Sequence, residues 1–267
     1  MSFSITSFSN EKIKFVNSLK EKKNRDRSNL FFIEGYREII KAIQSNKLSF
    51  HSLYFCRECF LGQNEDRILN FFVERNIKIY EIPKKIFEKM SYRDRPDGLV
   101  SVANTPDFKL KYENLIGNFF GIIEGVEKPG NLGTILRTAE GAGVDAIIVV
   151  DPRIDIFNPN VIRASTGTIF TLPLFITDRD TALDFLMQRR IKIFAVTPEA
   201  HIPYFQENYS DAVAFYFGSE QYGISDLAKN KINDKISIPM NGKADSLNLA
   251  MSAGILFYEV VRQRFKQ

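Results

Sequence analysis

The chain has 267 residues and a formal net charge of +4, with 44% hydrophobic and 25% charged residues. This composition is typical of a soluble globular protein with one large or two ordinary domains, and it excludes disordered and fibrous proteins. No apolar run approaches the roughly 20 residues of a membrane span, and residues 1–9 lack the pattern of a signal peptide, so we expect a cytoplasmic protein.

A basic segment lies near the start of the chain, just before a strand-like run at 30–33. It contains few acidic residues and holds Lys12, Lys14, Lys20, Lys22, Lys23, Arg25 and Arg27. A run of this kind fits a solvated helix face as well as it fits a surface that contacts phosphates. The small positive net charge permits an anionic partner but does not require one.

Short β-type runs alternate with helical patterns along the first hundred residues. The predicted strands cover residues 30–34, 51–56, 77–82 and 99–103. A helical pattern at 36–45 places Ile39, Ile40 and Ile43 on one face. This alternation predicts an α/β domain over residues 1–105.

Two cysteines, Cys56 and Cys59, occur in a C-x-x-C spacing. No second Cys or His pair lies nearby to complete a zinc site. Cys56 ends an apolar run, so we favour a strand-end thiol and a loop thiol over a redox or metal role, and we expect no metal.

The stretch 106–118 shows little periodicity and carries Pro106, Gly117 and four charged residues, so we interpret it as a linker between two domains. A second alternating series follows and predicts an α/β domain over residues 119–267. Its predicted strands cover residues 119–124, 146–150, 172–176, 191–196, 213–218 and 235–239.

The first candidate site is the segment 127–137, which leaves a predicted strand and enters a helix. We predict Asn131 as the N-cap and Arg137 within the second helical turn. An arginine near a helix N-terminus at the mouth of a strand suits a phosphate or a developing alkoxide. Taken alone, such an arginine would more simply form a surface salt bridge.

The glycine patterns of two common nucleotide sites are missing from this region. Gly130 and Gly133 are too far apart for the G-x-G-x-x-G turn of a dinucleotide site, and the phosphate loop G-x-x-x-x-G-K-[ST] is absent. Gly141 and Gly143 fall at a predicted helix end, where a C-cap glycine is the ordinary explanation. Ligand-binding glycines are therefore expected elsewhere.

Three further loops follow in the last fifty residues. They are Phe-Gly-Ser-Glu-Gln-Tyr-Gly-Ile-Ser at 217–225, Ile-Pro-Met-Asn-Gly at 238–242 and Ser-Leu-Asn at 246–248. Gly218 and Gly223 allow a sharp exit from a strand and close approach of the backbone to a ligand, and Ser225 is placed to cap the next helix. The last helix opens at Asn248 and runs toward Arg264. It is apolar around most of its circumference, so we expect its first half to be buried on nearly every side.

These segments resemble the signature motifs of the SpoU or TrmH branch of the SPOUT RNA methyltransferases. The motifs are N-x-G-x-x-x-R, F-G-S-E-x-x-G-[IL]-S and I-P-M-x-G…S-L-N, and they occur here in the same order. The segment 163–167 with Leu172-Pro173 is similar to a further family segment. Residues 32–35, Phe-Ile-Glu-Gly, resemble the small ribosomal-protein-like substrate-binding domain often fused in this family. The resemblance covers nearly the whole chain.

The resemblance implies a fold, a reaction and a cofactor. The fold is a parallel sheet whose C-terminal segment threads through a preceding loop to make a trefoil knot. The reaction is methylation of a ribose 2'-hydroxyl in RNA by a homodimer whose catalytic pocket is shared between subunits. The residues implied to bind S-adenosylmethionine are Thr197, Gly218, Ile238, Met240, Ser246 and Leu247. The residues implied to line the catalytic pocket are Asn131, Arg137, Glu220 and Asn248.

In this reading Arg137 contacts the target phosphate and hydroxyl and helps to deprotonate or stabilise the oxygen. A guanidinium is a weak proton acceptor, so a phosphate-assisted proton transfer is the better route. Asn131 and Asn248 orient groups in the site, and Glu220 holds Arg137 or Asn131 in place.

The predicted RNA contacts are Lys22, Lys23, Arg25, Arg27 and Arg163. Ribosomal RNA is favoured over tRNA as the substrate, because the separate N-terminal domain resembles the arrangement in ribosomal RNA enzymes, including antibiotic-resistance methyltransferases. A non-catalytic RNA-binding protein is the remaining alternative. The presence of the catalytic arginine and the cofactor glycines disfavours it.

Overall fold

The structure is a computed structural model that describes residues 2–110 and 115–265, without the side chain of Ser2. The chain divides into two compact units, one of Met1–Asp107 with Phe157–Thr171 and one of Phe108–Ile156 with Leu172–Gln267. Residues 111–114 of the predicted linker lie outside the described residues, and the domain bounds stay predictions. Within the described ranges, each helix is too short or too polar to cross a membrane.

The first hundred residues alternate between strands and helices, as their sequence pattern predicts. The elements are β1 (Ser2–Ser4), α1 (Glu11–Ser18), α2 (Lys22–Ser28), β2 (Leu30–Glu34), α3 (Tyr36–Gln44), β3 (Phe50–Phe55), α4 (Glu65–Glu74), β4 (Lys78–Glu81), α5 (Lys84–Met90) and β5 (Leu99–Asn104). The four predicted strands are confirmed as β2 to β5, each to within one residue. Strand β1 is not predicted, because three residues are too few to show an alternating pattern.

The sheet of the first unit has the strand order β1-β4-β3-β5-β2. Strand β5 is antiparallel to β2 and β3, whereas β1, β4 and β3 run parallel. Cys56 and Cys59 are both buried and form no disulfide. Burial and the neighbouring Cys56 thiol raise the pKa of Cys59 to about 12, which disfavours its reactive thiolate form.

The second alternating series begins with β6. Its elements are β6 (Phe119–Glu124), α6 (Pro129–Gly141), β7 (Ala146–Val150), α7 (Pro159–Ala164), α8 (Thr168–Thr171), β8 (Leu174–Thr177), α9 (Arg179–Gln188), β9 (Lys192–Val196), β10 (Val213–Phe217), α10 (Asp226–Lys231), β11 (Asp234–Ile236) and α11 (Leu249–Arg264). Helices α7 and α8 belong to the first unit, and the other elements form the second.

The sheet of the second unit has six strands in the order β11-β9-β10-β6-β7-β8, and all its neighbours are parallel. Strands β6, β7 and β10 are buried along their whole length, as strands covered by helices on both faces are. At Gly121 in β6 an added Cβ would lie 2.8 Å from the Phe257 ring, so only glycine lets α11 approach the sheet this closely.

The last predicted strand ends earlier than expected. The prediction at 235–239 is wrong beyond Ile236, because the chain no longer pairs with β9 after that residue. It pairs instead with the loop that connects β9 to β10. Ser237 donates its N–H to the carbonyl of Ile202 at 2.9 Å and accepts the N–H of Tyr204 at 2.8 Å. Pro239 has no N–H with which to extend a ladder.

The end of the chain returns from the sheet edge to its middle. Strand β11 is an edge strand, yet α11 packs against the central strand β10 and against α6. The segment that joins β11 to α11 contacts the β9–β10 connection at Ser237 and Ile202. This return past an earlier connection is what the predicted trefoil-knot arrangement requires.

One face of α11 departs from the prediction. Met251, Tyr258 and Phe265 are 60%, 52% and 89% exposed. Their spacing of seven residues puts all three on the same side of the helix. The expectation that the first half of α11 is buried on nearly every side is therefore wrong at Met251, because no element of the described chain covers this side.

Candidate active site

A cavity of about 700 Å³ opens in the second unit at the carboxyl ends of β9 and β10. Ligands of open parallel sheets bind at this edge, because the loops that follow the strands converge there. The cavity is lined by all six residues predicted to bind a cofactor: Thr197, Gly218, Ile238, Met240, Ser246 and Leu247. The structure therefore brings these residues together, while the ligand that they hold stays a prediction.

The loop after β10 closes one side of the cavity through a tight turn. Ser219 donates its N–H to the carbonyl of Gly223 at 2.9 Å, and Gly223 donates its N–H back to Ser219 at 3.0 Å. Gly223 has a φ of +65°, which glycine adopts without strain. The hydroxyl of Ser225 accepts the N–H of Ala228 at 3.4 Å, which confirms Ser225 as the N-cap of α10.

A buried ion pair anchors the far end of this loop. Glu124 ends β6, and its Oε1 accepts hydrogen bonds from Arg179 at 2.9 Å. The other carboxylate oxygen of Glu124 accepts the N–H of Ser225 at 3.1 Å. Glu124 is not among the residues predicted from the sequence, although an acidic residue at the end of an otherwise apolar strand is a signal for a special role.

Three of the four predicted catalytic residues meet beside the cavity. The side-chain amide of Asn131 donates to Oε1 of Glu220 at 2.5 Å. The amide of Asn248 donates to Oδ1 of Asn131 at 3.2 Å and lies 3.4 Å from the same Glu220 oxygen. Lys128, which the sequence analysis did not single out, places its ammonium 3.2 Å from Oε2 of Glu220. We call Asn131, Glu220 and Asn248 the polar cluster.

Asn248 also has a structural role. Its Oδ1 accepts the N–H of Ala250 at 3.0 Å, so it is the N-cap of α11, as the sequence predicts. The same side chain thus starts the helix with its oxygen and reaches the polar cluster with its amide. Because the cap fixes the position of Asn248, the amide is held in place before any ligand binds.

Arg137 lies apart from the polar cluster. Helix α6 begins at Pro129 with Lys128 as its N-cap, so the prediction of Asn131 as the N-cap is wrong. Proline suits the first helical position, where its missing N–H is no loss. Asn131 is therefore in the first turn and Arg137 is in the third, about 120° away around the helix axis, so the prediction of Arg137 in the second turn is also wrong. Glu220 contacts Asn131 and not Arg137.

The Arg137 side chain is exposed, and it makes no ion pair with any residue of 2–110 or 115–265. The surface salt bridge that would explain a lone arginine is thus not formed there. On the same helix the neighbouring Leu136 and Ala139 are fully buried. The buried face fixes the helix, so Arg137 is presented outward from a rigid support.

Two carboxylates stand at another part of the cavity lining, Glu199 and Asp245. The hydroxyl of Thr197 donates a hydrogen bond to Glu199, which lowers the pKa of that carboxyl group. Glu199 is therefore held in its charged form at neutral pH. A negative charge at this position suits a ligand that carries a positive charge.

The predicted RNA contacts fall into two places in the first unit. Lys22, Lys23 and Arg27 on α2 are exposed, but Arg25 is only 5% exposed and donates to the carbonyl of Leu19 at 2.5 Å. Arg25 therefore holds the turn between α1 and α2 and is not available to a phosphate. Arg163, which is exposed, lines a separate cavity together with Arg37 and Arg95.

Comparison with known proteins gives the following similarities. The model of the SpoU rRNA Methylase family matches residues 118–258, and that of the MRM3-like substrate binding domain matches residues 10–101. The chain is 29% identical over 256 residues to the 23S rRNA (guanosine(2553)-2'-O)-methyltransferase RlmP of Bacillus subtilis, covering 96% of this chain and 98% of that protein.

Solved structures resemble the chain over nearly its full length. A crystal structure of an RNA 2'-O ribose methyltransferase has a TM-score of 0.85 and 34% identity, and the match covers 98% of this chain and 100% of that one. The AdoMet-bound rRNA methyltransferase from Sinorhizobium meliloti has a TM-score of 0.85 and 27% identity, with 97% of both chains covered.

We predict that Gly218→Ala destabilises the protein. A Cβ at this position would lie 2.1 Å from the carbonyl carbon of Gly223, and the backbone of the turn cannot give way as a flexible side chain can. Overpacking of this kind costs about 1–3 kcal/mol, which urea denaturation measures as a lower free energy of unfolding.

Gly130→Ala is the matched control for this variant. Nothing lies within 4 Å of a Cβ at Gly130, and alanine favours the helix in which it lies. The control should keep or raise the free energy of unfolding. Equal stability of the two variants would contradict the role assigned to Gly218.

Proposed function

The chain belongs to the SpoU rRNA methylase family, and we propose that it transfers the methyl group of S-adenosylmethionine to a ribose 2'-hydroxyl of RNA. The observation that carries this proposal is the cavity at the strand ends with the polar cluster at its edge. Ribosomal RNA is the favoured substrate, because the Bacillus subtilis relative is a 23S rRNA methyltransferase. That substrate also favours a cytoplasmic location. A tRNA substrate is the alternative.

The cavity fits S-adenosylmethionine in size and chemistry. Its volume of about 700 Å³ lies within the range of small-molecule sites. Ile238, Met240 and Leu247 offer apolar surface to an adenine ring, while Glu199 and Asp245 offer negative charge to the cationic part of the cofactor. When bound, S-adenosylmethionine supplies a methyl group that is already activated by a positively charged sulfur.

The protein must make the ribose hydroxyl a better nucleophile. A hydroxyl attacks poorly until its proton is drawn away and the developing negative charge is stabilised. We assign the stabilisation to the guanidinium of Arg137, which also holds the neighbouring phosphate. We assign the removal of the proton to a phosphate-assisted transfer and not to Arg137 itself, since a charged guanidinium does not accept a proton.

The polar cluster orients the hydroxyl. Asn131 and Asn248 supply amide groups, and Glu220 holds both amides by accepting their hydrogen bonds. With Oε1 of Glu220 occupied by two donors, this carboxylate is a positioning group and not the proton acceptor. Holding reactants in a fixed geometry removes a large part of a reaction barrier.

The catalytic site is incomplete within one chain, because Arg137 lies on a different face of α6 from Asn131. Helix α6 packs against α11, and α11 presents the exposed residues Met251 and Tyr258, followed by its exposed C-cap Phe265. An uncovered apolar face of this kind, contiguous with a functional site, suits a second copy of the chain. We assign a homodimer in which Arg137 of one subunit completes the polar cluster of the other.

The RNA lies along exposed basic residues of the first unit. We assign this contact to Lys22, Lys23 and Arg27 on α2 and to Arg163, leaving out the buried Arg25. Such contacts neutralise phosphates and release counterions, so they give affinity that falls with salt and carries no base preference.

We expect cells that lack this protein to lose one ribose methylation. The measurement is a map of 2'-O-methylated nucleotides in ribosomal RNA and transfer RNA from cells with and without the protein. A mark that disappears from ribosomal RNA supports the favoured substrate, and one that disappears from transfer RNA supports the alternative. Unchanged maps in both pools would overturn the proposed function.

We expect Arg137→Ala to lower kcat by at least about a hundredfold, as removal of a group that stabilises a developing negative charge does. Arg137→Lys keeps the charge but not the forked guanidinium, so its kcat should lie between that of the wild type and that of Arg137→Ala. The Kd of S-adenosylmethionine, measured by calorimetry, should stay unchanged in both variants. Full turnover of Arg137→Ala would remove this residue from its assigned role.

The shared site predicts that two inactive variants restore each other. Subunits carrying Arg137→Ala, refolded together with an equal amount of subunits carrying Asn131→Ala, should regain about a quarter of wild-type activity, because half of the dimers mix and each mixed dimer has one intact site. Sites formed within single chains would give no recovery.

Met251→Asp places a charge on the exposed side of α11 that we assign to the dimer contact, so this variant should sediment as a monomer. Leu227→Asp, at an exposed position of α10, should remain a dimer.

A further inference from the structure

An exposed aromatic side chain stands at the rim of the cavity. Tyr222 lines the cavity but is 64% exposed, in a loop whose other large apolar residue, Ile224, is buried. The motif F-G-S-E-x-x-G-[IL]-S leaves this position open, so the family pattern does not account for a tyrosine here. A large ring exposed beside a functional site points to a ligand that binds its face.

The backbone of Tyr222 is held firmly. Its N–H donates to the hydroxyl of Ser219 at 3.0 Å, inside the turn that the mutual hydrogen bonds of Ser219 and Gly223 close. Because these hydrogen bonds hold the backbone of Tyr222 and of the next residue, Gly223, the ring is presented from an ordered turn, which lowers the entropy lost when a ligand binds.

An arginine is stacked against the ring. The guanidinium carbon of Arg153 lies 5.0 Å from the centre of the Tyr222 ring. Arg153 is held there by its side-chain hydrogen bond to Glu127 at 3.0 Å and by its N–H, which donates to the carbonyl of Val126 at 3.1 Å. This cation–π contact pre-orients the tyrosine and adds positive charge beside it.

The ring shares its loop with Glu220 of the polar cluster. Tyr222 follows Glu220 by two residues, and Lys128, which contacts Glu220, is next in sequence to Glu127, which holds Arg153. A planar ring and a cation therefore border the place where we assign the target ribose. A nucleotide that enters that site loses stacking with its neighbours in the RNA. Its binding becomes more favourable if another flat surface stacks on the base in their place.

We infer that Tyr222, backed by Arg153, is a stacking platform for a nucleobase of the RNA substrate, at or next to the methylated nucleotide. This inference rests on the proposed function and adds a subsite to it. Stacking of a base on an aromatic side chain is tolerant of base identity, so the platform contributes affinity and placement more than sequence preference.

The test compares Tyr222→Ala with Tyr222→Phe, using ribosomal RNA purified from cells that lack the protein. Loss of the ring should lower kcat/KM for RNA by about ten- to a hundredfold, whereas phenylalanine, which keeps the stacking face, should stay within about threefold of wild type. Arg153→Gln should lower kcat/KM by about two- to fivefold, as expected when a cation–π contact at an exposed site is lost.

Two further measurements separate the platform from other roles of the ring. The Kd of S-adenosylmethionine, measured by calorimetry, should change by less than about twofold in Tyr222→Ala. Filter binding of the same RNA should weaken in Tyr222→Ala and not in Tyr222→Phe. Phe205→Ala is the matched control, because Phe205 is 54% exposed and lies outside the cavity lining. It should leave all of these values unchanged.

Three results would overturn the inference. The first is wild-type kcat/KM and wild-type RNA binding in Tyr222→Ala. The second is a parallel rise in the Kd of S-adenosylmethionine in this variant, which would assign the ring to the cofactor. The third is conversion of Tyr222→Ala to a monomer, which would assign the ring to a subunit contact. A wild-type protein that methylates no RNA would overturn the proposed function instead. In that case filter binding still decides whether Tyr222 contacts RNA.

Discussion

The carboxylate of Glu220 is the interaction on which the site depends. It accepts the amide of Asn131 at 2.5 Å and lies 3.4 Å from the amide of Asn248, and it ties together helix α6, the loop after β10 and the start of α11. Asn131 is 89 residues distant along the chain. Burying a carboxylate costs free energy unless hydrogen-bond donors surround it. The charge of Glu220 is therefore stable only where α6 and the start of α11 bring their amide groups to it.

That convergence follows from the parallel sheet. Because all six strands of the second unit run in one direction, the loops that follow them open on the same edge. Gly218 and Gly223 let the loop after β10 turn sharply, and Glu124 with Arg179 fixes its far end. The loop after β10 therefore contributes Gly218 to the proposed cofactor cavity, Glu220 to the polar cluster and Tyr222 to the proposed stacking platform.

Helix α6 presents two kinds of group to two different surroundings. Asn131 in its first turn belongs to the polar cluster, whereas Arg137 in its third turn is exposed. A helix sets such directions by its period of 3.6 residues, so side chains six positions apart leave the helix about 120° apart. This constraint is the physical reason for assigning a site that is shared between two subunits.

Most elements and the site loops are predictable from the sequence, because alternation of apolar residues and glycines at strand ends are local properties. Strands β6 and β7 match their predicted bounds, and the six predicted cofactor residues line one cavity. Which of these side chains are exposed to solvent follows from the tertiary structure alone. It buried Arg25, exposed Met251 and separated Arg137 from Glu220. Burial depends on what packs against a residue from distant parts of the chain, and no local pattern records it.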